Sequence, residues 1–484
     1  MLREKRRFIH MGKRTVVFVL IIALLQTAWV FPARAAGSYR AHGDVDGNGK
    51  TEAADARLAL RASVGLETLD STARLAAEVT GDDRLEAADA RLILRAAVDL
   101  ESVPLLHRFT QTDPANKNGK PERHYICDCC GFDAQPAPAS LPVAQAEQAT
   151  AVCKKYGAVS AQAAVIKNGV VTNCFVYGKA DKSTGRAANE DTKYRIASLS
   201  KLIVCLVFLC LQDRGLVHEN DDISDYFGYK CRNPRYPGVV ITPSMLMSHT
   251  ASFVNVGKRM LEDGDLASYG FYLNVKPGTQ YNYSDIGIMV LACLCERASG
   301  KYLNQLAKEY LFDPLGIDAS FLASELRDTS NLGVLYGEEG GWNVSQQLGM
   351  ASKPLGRSLN LAMGNLTISA KDYARIIALL LNDGKTPSGK AVLSANAVSA
   401  VKKQRTSMPK YGVGYGTQIE TTVIKGKTVY VHTGSAYGMY STYVFCPADQ
   451  CGVVVLTSGC ARRLEPESEV YYVCLELIRT VYPG

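Results

Sequence analysis

Three short stretches carry side chains that together could perform nucleophilic chemistry. The first is Ser198-Leu-Ser-Lys201, at the head of an apolar run that continues to Asp213. On a helix this spacing puts both side chains on one face, with Cβ atoms about 5–6 Å apart. A serine hydroxyl becomes a useful nucleophile when a neighbouring base takes its proton. A lysine in apolar surroundings can have its pKa lowered until it serves as that base. Taken alone, Ser-x-x-Lys is a common tetrapeptide. The second stretch, Tyr281-Asn-Tyr283-Ser284-Asp285, follows a Pro277-Gly278 turn and leads into another apolar helix. It offers a phenol, Tyr283, and a carboxylate, Asp285. The third, His432-Thr433-Gly434-Ser435, closes a strand-like run. A histidine there is mostly neutral at pH 7, so it does not provide the lasting cation that a lysine would.

A different chemistry is written near the N-terminus. Asp44-Val-Asp46-Gly-Asn48-Gly49-Lys50-Thr-Glu-Ala-Ala-Asp55 places oxygen-bearing side chains at loop positions 1, 3, 5 and 12, with glycine at 6. A hard cation such as calcium needs this pattern: the glycine permits the sharp turn and the Lys50 carbonyl is available as a ligand. The unit recurs 34 residues later, where Glu78, Thr80, Asp82 and Asp89 take the corresponding positions and Asp83 replaces the glycine. Each loop runs into an amphipathic helix. The calcium ligand set is therefore Asp44, Asp46, Asn48, Lys50 and Asp55, with Asp82 and Asp89 from the altered second loop, which lacks the glycine that permits the sharp turn.

The elements that position these groups follow from composition and order. The chain has 484 residues, 47% of them hydrophobic, and a net charge of +7, much of it from the basic residues among the first fourteen. That distribution gives no support to a nucleic-acid partner. The basic segment precedes an apolar run, Val16 to Phe31, and then Pro32-Ala33-Arg34-Ala35-Ala36. This reads as a secretory signal peptide over residues 1–36, with an uncleaved anchor as the alternative. Residues 37–102 hold the two-loop repeat. Residues 103–143, with scattered Pro, Asn, Gln and Ala, read as a linker that contains Cys127, Cys129 and Cys130. From residue 144, a helix, a hairpin around Asn168-Gly169, a long helical region and four C-terminal strands are expected. Strands at both ends of this domain predict one sheet built from both termini and flanked by helices. Of the fourteen cysteines, Cys446 and Cys451 flank a hairpin turn where a bridge could form, and Cys205 and Cys210 fall inside the apolar helix as buried thiols.

Two family resemblances emerge from these motifs. Ser-x-x-Lys, Tyr-Ser-Asp and His-Thr-Gly, in that order, resemble the serine β-lactamase and penicillin-binding-protein superfamily, closest to its class C-like branch. Ile241-Thr-Pro-Ser-Met-Leu-Met-Ser-His249-Thr250, Pro314-Leu-Gly316 and Met363-Gly-Asn365 are similar to further motifs of that branch. The resemblance implies an α/β (α+β) fold of the β-lactamase/transpeptidase type, an antiparallel sheet flanked by helices plus a helical region, over residues 144–484. It implies Ser198 as nucleophile, Lys201 and Tyr283 as its base pair, and Ser198 and Ser435 backbone N–H groups as an oxyanion hole. Asp285 and His432 join the catalytic set, and Thr433, Gly434 and Asn365 are implied as substrate contacts. Asp285 stands where the family often has Asn. An aspartate near Lys201 would favour the charged lysine, leaving Tyr283 more of the base role.

The two-loop repeat resembles a type I dockerin, a small all-α calcium-loop domain that binds a cohesin on a scaffolding protein. The combined expectation is a secreted, extracellular serine hydrolase of esterase or D,D-peptidase type, tethered to a scaffold through cohesin. It needs no cofactor for catalysis and holds Ca2+ in the dockerin-like domain. The alternatives are a β-lactamase and a non-hydrolytic penicillin- or peptidoglycan-binding protein.

Overall fold

A computed structural model describes residues 40, 42–80, 84–98, 100, 103, 125–126, 133–134, 138–338, 340–387, 389–408, 413–424, 426–466 and 470–483. The signal-peptide segment, Asp82 and the Cys127–Cys130 cluster lie outside these residues. The chain divides into two units, Met1–Pro136 and Ala137–Gly484.

In the first unit, helices α1 (Ala53–Ser63) and α3 (Ala87–Ala96) follow the two loops, with α2 (Ser71–Ala77) between them. The two repeats start their helices in the same way. Glu52 and Glu86 are the N-caps, and Asp55 and Asp89, three residues on, accept the cap N–H groups. Val45, Ala56, Ala59, Ala73, Ala77, Val79, Ala90 and Ile93 make a small core, mostly alanine because the helices approach closely. Strands β1 (Tyr125–Ile126) and β2 (Asp133–Ala134) form a separate antiparallel pair.

The second unit is built on a nine-stranded sheet. From one edge to the other its strands are β3 (Ala139–Ser140), β5 (Val170–Gly178), β4 (Ser160–Lys167), β13 (Cys451–Ser458), β12 (Met439–Cys446), β11 (Lys427–Ala436), β10 (Glu420–Ile424), β9 (Val413–Tyr415) and β8 (Thr406–Met408). A second small pair joins β6 (Tyr194–Arg195) to β7 (Thr367–Ile368). N-terminal β4 pairs with C-terminal β13, so both ends of the domain share one sheet, as its sequence implies. All neighbours are antiparallel except β3, which lies parallel to β5. That short strand falls inside the segment expected to be linker, so the folded domain begins a few residues before 144. Six strands, β8 to β13, stand where four were expected at the C-terminal end.

Alternation along the strands sorts side chains onto two faces. Ala161, Ala163, Val165, Val453 and Val455 pack on one face beneath α4 (Val143–Lys155) and α9 (Tyr472–Val481). Ala164, Ile166, Val454 and Leu456 pack on the other, against the large helical region. There, α5 (Ser200–Asp213) is buried at every residue from Ser200 to Leu211. A helix apolar on all sides must sit in the middle of a core. Of the other helices here, α7 (Asp285–Ser299) packs directly against it, and α6 (Pro243–Met247) and α8 (Ala370–Leu381) join the same core.

The Asn168-Gly169 hairpin forms as expected, with both residues at positive φ (53° and 70°). Cys446 and Cys451 are direct partners across the β12–β13 hairpin, but both are free thiols, which corrects the suggested bridge. Cys205 and Cys210 are buried thiols on α5. No described helix is long and apolar enough to cross a membrane.

Candidate active site

Ser198 does not open the α-helix itself. It lies in a 3₁₀ turn, Ala197–Leu199, and α5 starts at Ser200. Ala197 has φ 53°, a left-handed conformation uncommon for a residue with a Cβ. A cost of this kind persists only where the surroundings enforce it. Here Ser441 Oγ donates to the Ile196 carbonyl at 2.8 Å, and the Ile196 N–H donates to the Leu366 carbonyl at 2.9 Å.

Three elements bring their polar groups to Ser198. Lys201, the second residue of α5 and 1% exposed, donates from Nζ to Ser198 Oγ at 2.8 Å and to the Met363 carbonyl at 2.7 Å. Tyr283, just before α7, donates from its hydroxyl to the same Ser198 oxygen at 2.9 Å. Asp285, the first residue of α7, places Oδ1 3.0 Å from Lys201 Nζ. Tyr283 is 41% exposed, so this side of the nucleophile is open to a substrate.

The fourth element is β11. Gly434 on it comes so near the nucleophile turn that a Cβ there would lie 2.9 Å from the Ser198 nitrogen and 2.4 Å from Ser441 Oγ. Glycine is required by this close approach. Ser435 is exposed and Thr433 half-buried on the same strand. His432 is buried, with Nδ1 2.7 Å from the Thr433 carbonyl.

The electrostatics divide two potential cations. For Lys201, burial is the largest influence and works against the charge. The Tyr283 oxygen and the Asp285 carboxylate together outweigh it and hold the lysine above its ordinary range. Burial first, and then the Lys201 charge, push His432 down to about 4. The site therefore contains one ammonium and one neutral imidazole. Burial first, and then the Lys201 charge, likewise hold the buried His249 well below its usual range.

Asn365 requires a correction. Expected to touch substrate, it is buried, and its Oδ1 accepts from Arg195 Nε at 2.7 Å. The contact from that loop to the nucleophile's base is the Met363 carbonyl, two residues earlier. A backbone carbonyl has no side-chain signature, so no sequence pattern points to it. Arg195 belongs to no motif either. Its guanidinium lies 4.4 Å from the Trp342 ring and 5.2 Å from the Tyr437 ring.

In the N-terminal unit, Asp44, Asp46 and Asp55 bring carboxylate oxygens within 4.8 Å of one another. Asp55 Oδ1 accepts the N–H groups of Val45 (2.7 Å) and Asp46 (3.0 Å), and Oδ2 accepts that of Glu52 (2.7 Å). Asp44 Oδ2 accepts the Gly49 N–H at 3.0 Å, while its Oδ1 is buried without a hydrogen-bond partner. Burial chiefly, with the Asp46 charge, pushes Asp55 up to about 6 despite its amide donors. Gly49 at loop position 6 has φ 89°. Asn48 accepts the Lys50 N–H through Oδ1 at 2.9 Å. A buried orphan oxygen amid three carboxylates suits a hard cation. The second loop reproduces the hydrogen-bonding scaffold. Asp89 accepts from Val79, Thr80 and Glu86 as Asp55 does from its counterparts. No three-ligand group forms there among the described residues.

The sheet, the buried α5 and the Ser198–Lys201–Tyr283 cluster define an α/β fold of the β-lactamase/transpeptidase type. The Beta-lactamase family pattern matches residues 143–467, more than half of the chain, and the chain belongs to that family of hydrolases. Penicillin-binding protein 4 of Amycolatopsis lactamdurans is 25% identical over 58% of this chain and 76% of its own length. The D-alanyl-D-alanine-carboxypeptidase/endopeptidase AmpH of Escherichia coli K12 is 26% identical, over 39% of this chain and 54% of its own. Esterase EstB of Burkholderia gladioli is 28% identical, over 34% of this chain and 48% of its own. The chain thus spans about half the length of the last two. Among solved structures, a class C beta lactamase from Rhodobacter sphaeroides superposes with a TM-score of 0.56 at 16% identity, over 70% of this chain and 99% of that one.

Proposed function

We propose that the second unit is a serine hydrolase working through an acyl-enzyme on small ester, amide or D-amino-acid peptide substrates, of esterase or D,D-peptidase type. One observation carries this reading: Ser198 Oγ accepts hydrogen bonds from both Lys201 Nζ and Tyr283 Oη, at 2.8 and 2.9 Å. Ser198 Oγ attacks the substrate carbonyl, and its proton passes to the Lys201–Tyr283 pair. The pair can take it only in the form that holds one proton fewer than an ammonium and a phenol together; because Asp285 favours the charged lysine, the proton is missing from the Tyr283 oxygen, which receives it. The tetrahedral oxyanion is held by the backbone N–H groups of Ser198 and Ser435. The pair then returns the proton to the leaving alcohol or amine as the C–O or C–N bond breaks. Water adds to the acyl-enzyme by the same route in reverse and frees the acid. The relatives named for D-alanyl-D-alanine carboxypeptidase and esterase activities support both substrate classes. The neutral His432 weighs against a dedicated β-lactamase, whose substrates carry a carboxylate that a fixed cation would bind.

The test is a fluorescent penicillin that labels the wild type and not Ser198→Ala, followed by turnover of p-nitrophenyl esters, D-Ala-D-Ala peptides and nitrocefin. Turnover of an ester or peptide supports the reading. Efficient nitrocefin hydrolysis instead makes the protein a β-lactamase, and labelling without any turnover makes it a penicillin- or peptidoglycan-binding receptor.

For the first unit we propose a dockerin-like module that binds Ca2+ through Asp44, Asp46, Asn48, Asp55 and the Lys50 carbonyl and docks on a cohesin. Calcium would neutralise the loop carboxylates. The signal-like N-terminus supports secretion and attachment to an extracellular scaffold. Binding of the full chain to immobilised cohesins, in calcium and in EGTA, checks both parts.

A further inference from the structure

His249 occupies an unusual place for a histidine. It follows the Ser248 cap of α6 and has φ 56°. The position just past a helix end commonly takes a left-handed residue, usually glycine. A helix stop alone would need no imidazole. This one is buried, and its ring packs 4.4 Å from the Tyr283 ring, with Tyr281 and Tyr415 at 5.8 and 5.6 Å.

Its hydrogen bonds fall on both sides of Tyr283. The Asn282 N–H donates to the His249 carbonyl at 2.8 Å. The Ser284 N–H donates to His249 Nδ1 at 3.2 Å. The peptide groups before and after the tyrosine are therefore both anchored on one residue. Because Nδ1 accepts, it carries no proton, and burial beside Lys201 keeps the imidazole neutral. The clamp is itself braced: Gln418, at φ 55°, donates from Nε2 to the Met247 carbonyl at 2.8 Å. Tyr283 needs such support. It is half-exposed and precedes the helix, so neither core packing nor helical geometry holds its hydroxyl on Ser198.

We propose that His249 is a positioning residue that clamps the Asn282 and Ser284 peptides and so holds the Tyr283 hydroxyl on Ser198 Oγ. This rests on the acyl-enzyme reading above. Misplacing a reacting group by about 1 Å can cost about 100-fold in rate.

The test separates the clamp from the helix stop. His249→Gly keeps the left-handed stop and removes both the ring and the acceptor. His249→Leu fills the same space without an acceptor, and serves if the glycine variant does not fold. His249→Asn tolerates positive φ and puts Oδ1 where Nδ1 lies. Acylation by the fluorescent penicillin and kcat and KM on a p-nitrophenyl ester are measured for each, beside Tyr283→Phe and the double variant Tyr283→Phe/His249→Leu. The expected result is an acylation rate and kcat about 100-fold lower for Gly and Leu with KM little changed. Asn should recover to within about threefold, and His249→Leu should cost little more in the Tyr283→Phe background. Hydrogen–deuterium exchange over residues 281–285 reads the clamp without activity, and should be at least about tenfold faster in Gly and Leu and unchanged in Asn. Acylation at the wild-type rate in Gly or Leu, additive losses in the double variant, or unchanged exchange overturns the clamp. Failure of the wild type to be labelled counts against the acyl-enzyme reading, and the exchange measurement still decides the clamp.

Discussion

Two groups of carboxylates in this chain meet different fates. Asp285 finds a cation within its own fold: the Lys201 ammonium 3.0 Å away. Asp44, Asp46 and Asp55 converge within 4.8 Å of one another. The partners described for them are backbone N–H groups and Asn48, none of them charged. In the first case the charge is balanced internally, and the carboxylate's effect falls on a neighbour's proton affinity. In the second, several negative charges share a small space, and burial resists their ionisation. The calcium proposed above would balance them from outside. The same residue type therefore sets the proton affinity of a neighbouring amine in one unit and, in the calcium-binding module proposed above, makes a cation-binding loop in the other. What differs is whether the fold brings a lysine to it.

The comparison can be broken most severely at the nucleophile. Ser198→Ala should lower acylation and turnover by at least about a thousandfold, and Lys201→Ala should approach that loss while leaving Asp285 without its cation. Stopped-flow labelling measures both. Tyr283→Phe should cost about 100-fold or more, the contribution of a positioned proton-transfer group, with steady-state kcat on an ester as the readout.

The other half is probed by calcium. A cation present at about 100 times its Kd stabilises its site by about 2.7 kcal/mol. For a domain as small as the first unit this should raise its melting transition by on the order of 10 °C. Asp44→Ala/Asp46→Ala should abolish the shift and leave acylation by Ser198 unchanged. Calorimetry with calcium and with EGTA reads it directly.

Asp285→Asn sharpens the contrast with a smaller effect. The carboxylate is one of two groups that keep Lys201 above its usual range against burial. Without it the lysine gives up its proton more easily, and the acidic limb of kcat/KM should move to lower pH. An unmoved profile would mean that Asp285 does not govern the base. The smallest change is expected at His432. Its imidazole is pushed down to about 4, so it stays neutral and adds no inflection between about pH 5.5 and 8. His432→Lys should raise the nitrocefin-to-ester rate ratio by less than about tenfold, since Thr433 and backbone groups remain in place.

Side chains with a characteristic order are legible in the sequence alone. Ser198, Lys201, Tyr283 and the His432-Thr433-Gly434 strand end are brought to one place, and Asp285 reaches the lysine that its presence suggested it would perturb. The hairpin at Asn168-Gly169 is equally readable, because its turn type depends on two local residues. Contacts made by the backbone are not. The Met363 carbonyl on Lys201 and the His249 carbonyl on Asn282 depend on where the chain runs, and any residue could supply them. Asn365 looks like a substrate contact because its neighbours match a motif, yet the fold turns it inward to Arg195. His249 looks like a helix stop, and only the return of the Tyr283 segment past its ring shows the second hydrogen bond.

By itself the sequence determined the chemical inventory and its order: a hydroxyl one turn from an amine on a helix that must be buried, a phenol before a second helix, a strand end rich in small groups, and a carboxylate loop repeated once. These follow from side-chain chemistry and local periodicity, which act over a few residues. Tertiary structure alone decided the charge states and the precision of the site. Lys201 is an ammonium because α7 carries Asp285 to it. His432 is neutral because the sheet buries it near that ammonium. Tyr283 meets Ser198 because α6 ends in a residue that holds the peptides on both sides of it. Each is an interaction between groups distant in sequence, whose strength depends on burial and separation, and only the folded chain sets those.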